Sequence, residues 1–355
     1  MLYDTILNLV PREKIHLQTK VLSIEQNHDE VMIQTSDNTT YRGDILVGAD
    51  GAYSVVRQGL YQLLEKAGQL PESDKEQLPY TNVCLVGTTE PLDVAKYPYL
   101  DKPESYFVGV LGDDTPYTWV VFSTKDARVC WMVVKHLTSV SRKEDSGIQN
   151  SEWGPEAADA MCEQVRDFRF PHGLTMGELI DQTRKELISK VMLEEKLFET
   201  WFAGRTVLVG DACHKMHPAA GLGAVSAMHD AVVLANQLFG LESTGVEDLK
   251  KAFQAYRDER YPQTVQSFET SQTMARLLGR SWMNTIVRML TRRIPKWLWR
   301  KVMDKMQGYR PQATFLPLVP DRGSSKPAPQ ASLKLAKKFP QPKLNPVSVS
   351  ALNKK

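Results

Sequence analysis

An α/β fold of two interleaved lobes is what the sequence predicts, and three features predict it. Val207-Leu208-Val209 is a continuous aliphatic run, typical of a strand covered on both faces. It leads through Gly210-Asp211, His214, Pro218 and Gly221-x-Gly223 into a long apolar helix ending near Leu238. Asp44 to Leu60 (DILVGADGAYSVVRQGL) shows the same strand-turn-helix order earlier in the chain, with Asp50-Gly51 at the turn. Between the two, Thr81 to Leu137 carries the runs NVCLVG, SYFVGV, YTWVVF and RVCWMVV of an antiparallel sheet. With 355 residues and 42% hydrophobic content, the chain can bury a core in each lobe.

Taken in order, Lys14 to Val47 reads as a β-meander. Its strand-like runs KIHLQTKVLSIEQ, EVMIQTS and TYRGDILV are separated by Asn27-His28-Asp29 and Ser36-Asp37-Asn38. The meander feeds the Asp50 turn, and a helix is expected from about Tyr53, with Ser54 and Arg57 on nearly one side of its first turns. Leu60 to Pro79 is a polar, mostly helical connection. Strands and intervening helices then continue to about Met192. Here Tyr106, Phe107, Trp119, Phe122 and Trp131 either line an apolar cavity or fill the core between sheet and helices.

Asp211 falls just past its strand, where a carboxylate can accept hydrogen bonds from a sugar hydroxyl. Pro218 and the two glycines let backbone N–H groups at the next helix start approach a negatively charged ligand. Gly221-x-Gly223-x-x-Ser226 imitates the dinucleotide fingerprint, but its glycines do not follow the strand directly, so that reading is rejected. His214 and His217 have no third ligand at metal spacing; pocket lining is expected of them, and no metal.

Composition narrows the class further. A net charge of +2 gives no case for a nucleic-acid partner, and no apolar segment approaches the ~20 residues needed to cross a bilayer. Cys84, Cys130, Cys162 and Cys213 are too scattered for a disulfide framework or a zinc cluster, so reduced thiols are expected, with Cys213 a packed small residue. From Arg276 to Met303 basic residues alternate with Leu, Ile, Met and the tryptophans Trp282, Trp297 and Trp299, a pattern suited to an anionic membrane surface or to packing on the protein's own lobe. Beyond Pro320 the Pro, Ser, Lys and Ala composition predicts disorder.

The two turn segments in this order resemble the flavin-contacting motifs of FAD-dependent monooxygenases of the aromatic hydroxylase class, nearest to the fungal branch that epoxidises or hydroxylates terpenoids, including indole-diterpenes. The likeness runs from about Met1 to about Ser271 and includes NVCLVGTTEPLD, NSEWGPEAADAMCEQVRDF and ELISKVMLEEKLFETWFAGRTVLVGDACHKMHP. It implies that Asp50, Gly51 and Arg57 belong to a segment touching FAD and the incoming nicotinamide cofactor. It also implies that Gly210 and Asp211 hold the ribityl chain, and that Pro218, Gly221, Leu222, Gly223 and Ala224 lie beside the flavin ring. Val225 and Ser226 stand where the family often has Asn, and His229 where Gln or Glu is usual; Ser226 could still donate a hydrogen bond.

The family opens with a strand, a G-x-G-x-x-G turn and a helix that hold the adenosine diphosphate half of FAD. No such unit occurs in these residues, and a βαβ unit takes about 30 residues or more. The expected organisation is therefore an α/β FAD-binding lobe, incomplete without that N-terminal unit, with an inserted β-rich substrate lobe and a helical C-terminal extension. Its segments are 1–79 and 193–275 for the FAD lobe, 80–192 for the substrate lobe, 276–319 for basic amphipathic helices and 320–355 for a disordered tail. The implied function is oxygenation of a lipophilic, terpenoid-type substrate with FAD, NAD(P)H and oxygen, in the cytoplasm, with peripheral membrane contact through 276–303. The alternative is a truncated, non-catalytic paralogue that does not turn over flavin. Without the pyrophosphate-binding turn, FAD is expected to be held weakly or not at all.

Overall fold

The computed structural model describes residues 2–112, 115–137, 155–278, 286, 289, 293–320 and 325–336. After a short helix α1 (Leu2–Leu7) come β1 (Val21–Gln26), β2 (Val31–Thr35), β3 (Thr40–Gly43) and β4 (Leu46–Gly48), then α2 (Val55–Lys66) and α3 (Glu72–Lys75). The inserted lobe holds β5 (Tyr80–Thr88), β6 (Phe107–Leu111), β7 (Tyr117–Ser123), β8 (Val129–His136), α4 (Pro155–Val165), α5 (Met176–Asp181) and β9 (Ser189–Glu194). The chain returns through β10 (Lys196–Leu197), β11 (Phe202–Ala203), β12 (Thr206–Leu208) and β13 (His214–Lys215). It closes with α6 (Gly223–Phe239), α7 (Val246–Leu278), α8 (Lys296–Gln307) and α9 (Leu333–Ala336).

β1, β2 and β3 form the expected antiparallel meander. Its turns are made by side chains that mimic backbone acceptors. Asn27 Oδ1 accepts from the Asp29 and Glu30 amides at 2.8 and 2.9 Å, and Asp37 Oδ1 accepts from Thr35 Oγ1 at 2.6 Å and from the Thr39 amide at 3.1 Å. The expected first run is shorter than its pattern, because Arg12–Lys14 is a 3-10 turn and Gln18 adopts φ 56°, which ends extended backbone before β1.

β4 lies parallel to β12, and β11 pairs antiparallel on the far side of β12. All of β12 is buried, which is why its sequence shows no alternation. Gly48 ends β4 against α2 and β12; a Cβ there would sit 2.7 Å from Leu208 Cδ2 and 2.8 Å from Val56 Cγ1, so only glycine allows the contact.

The inserted lobe is one antiparallel sheet in the order β6-β7-β8-β5-β9. Val83, Leu85, Val121, Trp131 and Val133 form its buried face, under residues of α4 and α5 such as Ala158, Met161, Met176 and Leu179. The opposite face carries Cys84, Val86, Met132, Val134, Val191 and Leu193. Trp131 Nε1–H donates to Thr183 Oγ1 and Trp119 Nε1–H to the Arg169 carbonyl, each at 3.0 Å, so both indoles belong to the helix-covered core.

Three expected boundaries shift. The sheet runs to Glu194, so 192/193 falls inside β9; α7 runs to Leu278, across 275/276; and α2 starts at Val55, two residues after Tyr53, because Ser54 caps it. The disorder expected from 320 is corrected over 325–336. There Ser332 and Gln330 are buried, and Ser332 accepts from Asn236 Nδ2 and donates from its amide to Glu259. Composition missed this because polar hydrogen bonds, and little apolar area, hold the segment. The remainder of the tail, Trp282 and Arg280, Arg288 and Arg292 of the basic segment lie outside the described residues.

Candidate cofactor site

Asp50 follows β4 by two residues, with Gly51 turning at φ 79°. Its carboxylate organises the start of α2: Oδ1 accepts from Ser54 Oγ at 2.5 Å and Oδ2 from the Val56 amide at 3.1 Å. Ser54 Oγ in turn accepts from the Arg57 amide at 2.8 Å.

Arg57 is buried, and its guanidinium donates to the Ala52 carbonyl at 2.7 Å and to the Ala212 carbonyl at 3.0 Å, over the Phe198 ring at 4.3 Å. Burial pulls its pKa down, against neighbouring Tyr61 and Asp50. The side chain thus ties the Asp50 turn to the Asp211 turn, which are far apart in sequence.

β12 ends at Leu208, and Gly210 at φ 60° bends the chain into a 3-10 turn, Gly210–Ala212. A Cβ on Gly210 would lie 3.0 Å from that of Ala227, so the turn rests directly on α6. The Asp211 side chain is 42% exposed, with Lys215 Nζ 3.8 Å away, and is open to a ligand. Pro218–Ala220 forms a second 3-10 turn, Gly221 takes φ 64°, and α6 begins at Gly223 without a side-chain cap. Its first-turn amides therefore have no intrahelical or capping acceptor. Nothing lies within 4 Å of where a Cβ would project from Gly221 or Gly223.

Ser226 is buried, and its carbonyl accepts from Arg260 at 3.3 Å. His229 meets the Tyr309 ring edge-on at 5.5 Å; burial, helped by Arg260, lowers its pKa to about 4.

The two loop histidines part company. His214 is wholly buried and bonds Asp230 Oδ2 at 2.5 Å. Cys213, His214 and Asp230 come within 4.8 Å of one another, but Gly210, His214 and Arg260 already occupy the carboxylate oxygens, and burial raises the Cys213 thiol well above its usual value. His217 reaches the substrate sheet instead. Its Nδ1 accepts from the Ala219 amide at 3.2 Å, and its Nε2 lies 3.0 Å from the Asn82 side-chain amide. Burial, with His136 nearby, lowers its pKa to about 4. His217 Nε2 and Asn82 Nδ2 share this contact, and which of them donates depends on the ring tautomer.

Glu194, at the end of β9, is the sheet residue that both turn segments face. Burial raises its carboxyl pKa, opposed by the Tyr53 hydroxyl, Lys215 and Arg57, and Oε2 has no partner among the described residues. Sequence reasoning missed Glu194, Asn82, Asp230 and Arg260. Only Asp230, a charge at an apolar stretch of α6, left a signal. Of the five aromatics, Trp119 and Trp131 fill the core, Phe107 and Phe122 are exposed, and the Tyr106 ring lies tilted against Tyr99, 4.4 Å between centroids. The sheet face on the side of Asn82 is lined by aliphatic and sulfur side chains.

FAD fits this arrangement on three counts: a solvent-open carboxylate for hydroxyls, an uncapped helix start for negative charge, and glycines that leave the approach clear. The comparisons agree. A family model described as FAD binding domain matches residues 9–268. The FAD-dependent monooxygenase paxM of Penicillium paxilli is 33% identical over 287 residues, 76% of this chain and 57% of that protein. The FAD-dependent monooxygenase ptmM of Penicillium ochrochloron is 30% identical over 280 residues, 76% of this chain and 62% of that one. The chain thus spans a little over half the length of these relatives. Among solved structures, HpxO from Klebsiella pneumoniae, complexed with FAD and uric acid, superposes with a TM-score of 0.61 at 17% identity, covering 86% of this chain and 69% of that one. The 2,6-dihydroxypyridine-3-hydroxylase of Arthrobacter nicotinovorans gives 0.59 at 18% identity, covering 78% and 68%. These likenesses show the α/β FAD-binding fold.

Proposed function

The chain belongs to the FAD-binding domain family, and from that premise we propose that its Asp50 and Asp211 turns hold the ribityl and ring half of FAD, in a site that serves NAD(P)H-dependent monooxygenation of a lipophilic, terpenoid-like substrate. The observation that carries this is the Arg57 tie, which brings both turns to one place although the substrate lobe is inserted between them. Bound FAD, reduced by a nicotinamide cofactor, supplies the activation of molecular oxygen.

The chain's own residues supply placement and charge. Asp211 accepts hydrogen bonds from the ribityl hydroxyls, and the amides opening α6 stabilise negative charge on the ring. Glu194, whose carboxyl pKa burial raises, stands at the seam between sheet and turns. The sheet face of Cys84, Val86, Met132, Val134, Val191 and Leu193 favours an apolar substrate and keeps water away. The test supplies the chain with FAD, NADPH or NADH, and oxygen-18 gas over lipophilic alkenes and arenes. Label in the organic product supports the reading; nicotinamide oxidation without labelled product, or none, overturns it.

We also propose that α8 rests on an anionic bilayer. Trp297 and Trp299 are 62% and 46% exposed beside Lys296, Arg300 and Lys301, and no helix among the described residues is long and apolar enough to cross a membrane. Sedimentation with phosphatidylserine vesicles at low salt should fall when all three bases become glutamate; equal sedimentation contradicts it.

A further inference from the structure

We propose that Asp230 is a positioning residue for the cofactor turns, holding Asp211 at a fixed distance from the first turn of α6; the inference rests on the FAD reading above. Asp230 lies about two helical turns after Gly223, on the buried side of α6. Its Oδ2 accepts from the Gly210 amide at 2.9 Å and from His214 Nε2 at 2.5 Å. Gly210 directly precedes Asp211 and His214 follows it by three residues, so both ends of the turn that presents Asp211 hang on one oxygen.

The second oxygen faces α7. Oδ1 accepts from Arg260 Nε at 2.8 Å, and Arg260 Nη2 reaches back to the Ser226 carbonyl at 3.3 Å, in the opening turns of α6. One carboxylate and one guanidinium therefore connect the Asp211 turn, the start of α6 and α7. Asp230, His214 and Arg260 are all buried. Burial on its own would raise the Asp230 carboxyl; His214 and Arg260 outweigh it and hold it below the usual range.

The contacts demand an anion that only accepts. An asparagine would point an N–H group at Arg260, at His214 or at the Gly210 amide, setting donor against donor. His214 depends on the carboxylate for its orientation, since its Nδ1 has no partner among the described residues and the Trp201 ring, 5.4 Å away, offers a face and no acceptor. Positioning is separable from general support here, because the core of this lobe has further ties of its own, such as Tyr256 Oη to the Leu208 carbonyl at 3.1 Å.

Amide hydrogen exchange on the full chain tests the assignment. In Asp230→Asn, the Gly210, Cys213 and Ser226 amides, which donate to Asp230 Oδ2 and to the Gly210 and Leu222 carbonyls, should exchange about tenfold faster or more, while β5 and β8 keep their wild-type rates. His214→Asn, which keeps the Gly210 contact, should loosen 212–214 alone. Unchanged exchange in 210–226, or an equal rise in both lobes for both variants, overturns the assignment.

A titration with FAD separates the layers. The dissociation constant should rise about tenfold in Asp230→Asn, and the absorption bands of bound flavin should move, a change that lowered stability alone does not produce. Wild-type affinity and bands in that variant count against Asp230. No binding to the wild-type chain counts against the FAD reading, and the exchange result then decides on Asp230 by itself.

Discussion

The substrate sheet and the cofactor lobe bury their cores by different means. In the sheet, Val83 and Leu85 on β5 stack beside Trp131 and Val133 on β8, and neighbouring strands find each other through alternation and turns. In the cofactor lobe, Arg57, Asp74, Arg205, Asp230 and Arg260 are buried as well, and each joins segments that an inserted lobe or a long helix keeps apart. Arg205 donates to the His28, Asp44 and Thr244 carbonyls, pulling the meander, the β4 approach and the α6–α7 connection together. Asp74 accepts from the Glu199 and Thr200 amides at 2.9 Å each. A lobe assembled from separated segments has no hydrophobic period to set its register, and multivalent polar side chains do that work. Such side chains stabilise only while every partner is present.

Breaking one of them should therefore cost most. Arg260→Met leaves Asp230 buried with only His214 and Gly210, and should lower stability in urea by about 3–5 kcal/mol. A loss under about 1 kcal/mol would place this hub with replaceable packing and erase the contrast. Leu85→Ala, in the apolar sheet, should cost about 2–4 kcal/mol, with the exchange rates of 210–226 unaltered; a matching rise there would mean the two cores are coupled. Thr175→Ala removes one half of the capping box that Thr175 and Glu178 form on α5, and should cost about 1 kcal/mol, confined to the inserted lobe.

The smallest effect is a pH dependence at the seam. Because burial raises the Glu194 pKa above its unfolded value, its contribution is greatest below the ordinary glutamate pKa of 4.5 and is lost as pH rises through the folded value. Glu194→Gln should gain on the wild type in urea midpoint as pH is raised from about 4.5 toward about 8; a constant difference would mean that the carboxyl titrates normally.

Legibility in the sequence divides along the same line. The strand runs of the meander and the inserted sheet were readable because a half-buried strand writes its burial into every second residue. The Asp50 and Asp211 turns were readable because Gly51, Gly210 and Gly221 mark backbone with positive φ. The roles of Asp50 and Arg57 were less so: both spend their polar atoms on local backbone, Asp50 at the start of α2 and Arg57 between the turns. Asp230 and Arg260 stand 30 residues apart on different helices, and no local pattern announces that they meet. The face of the sheet stayed open for a similar reason, since Trp119 and Trp131 can point either way until α4 and α5 are placed over them.

The central claim is that the two turns, joined through Arg57 and backed by Asp230, make one FAD site in which Asp211 is the open ligand. Titrating wild-type chain and Asp211→Ala with FAD, followed by flavin absorbance and fluorescence, tests it most directly. Loss of a charge-assisted acceptor should weaken binding by about 1.5–3 kcal/mol, or about ten- to a hundredfold, while the far-ultraviolet circular dichroism and urea midpoint stay as in the wild type. Equal affinity in the two proteins, or no interaction of the wild-type chain with FAD at any concentration, would contradict it.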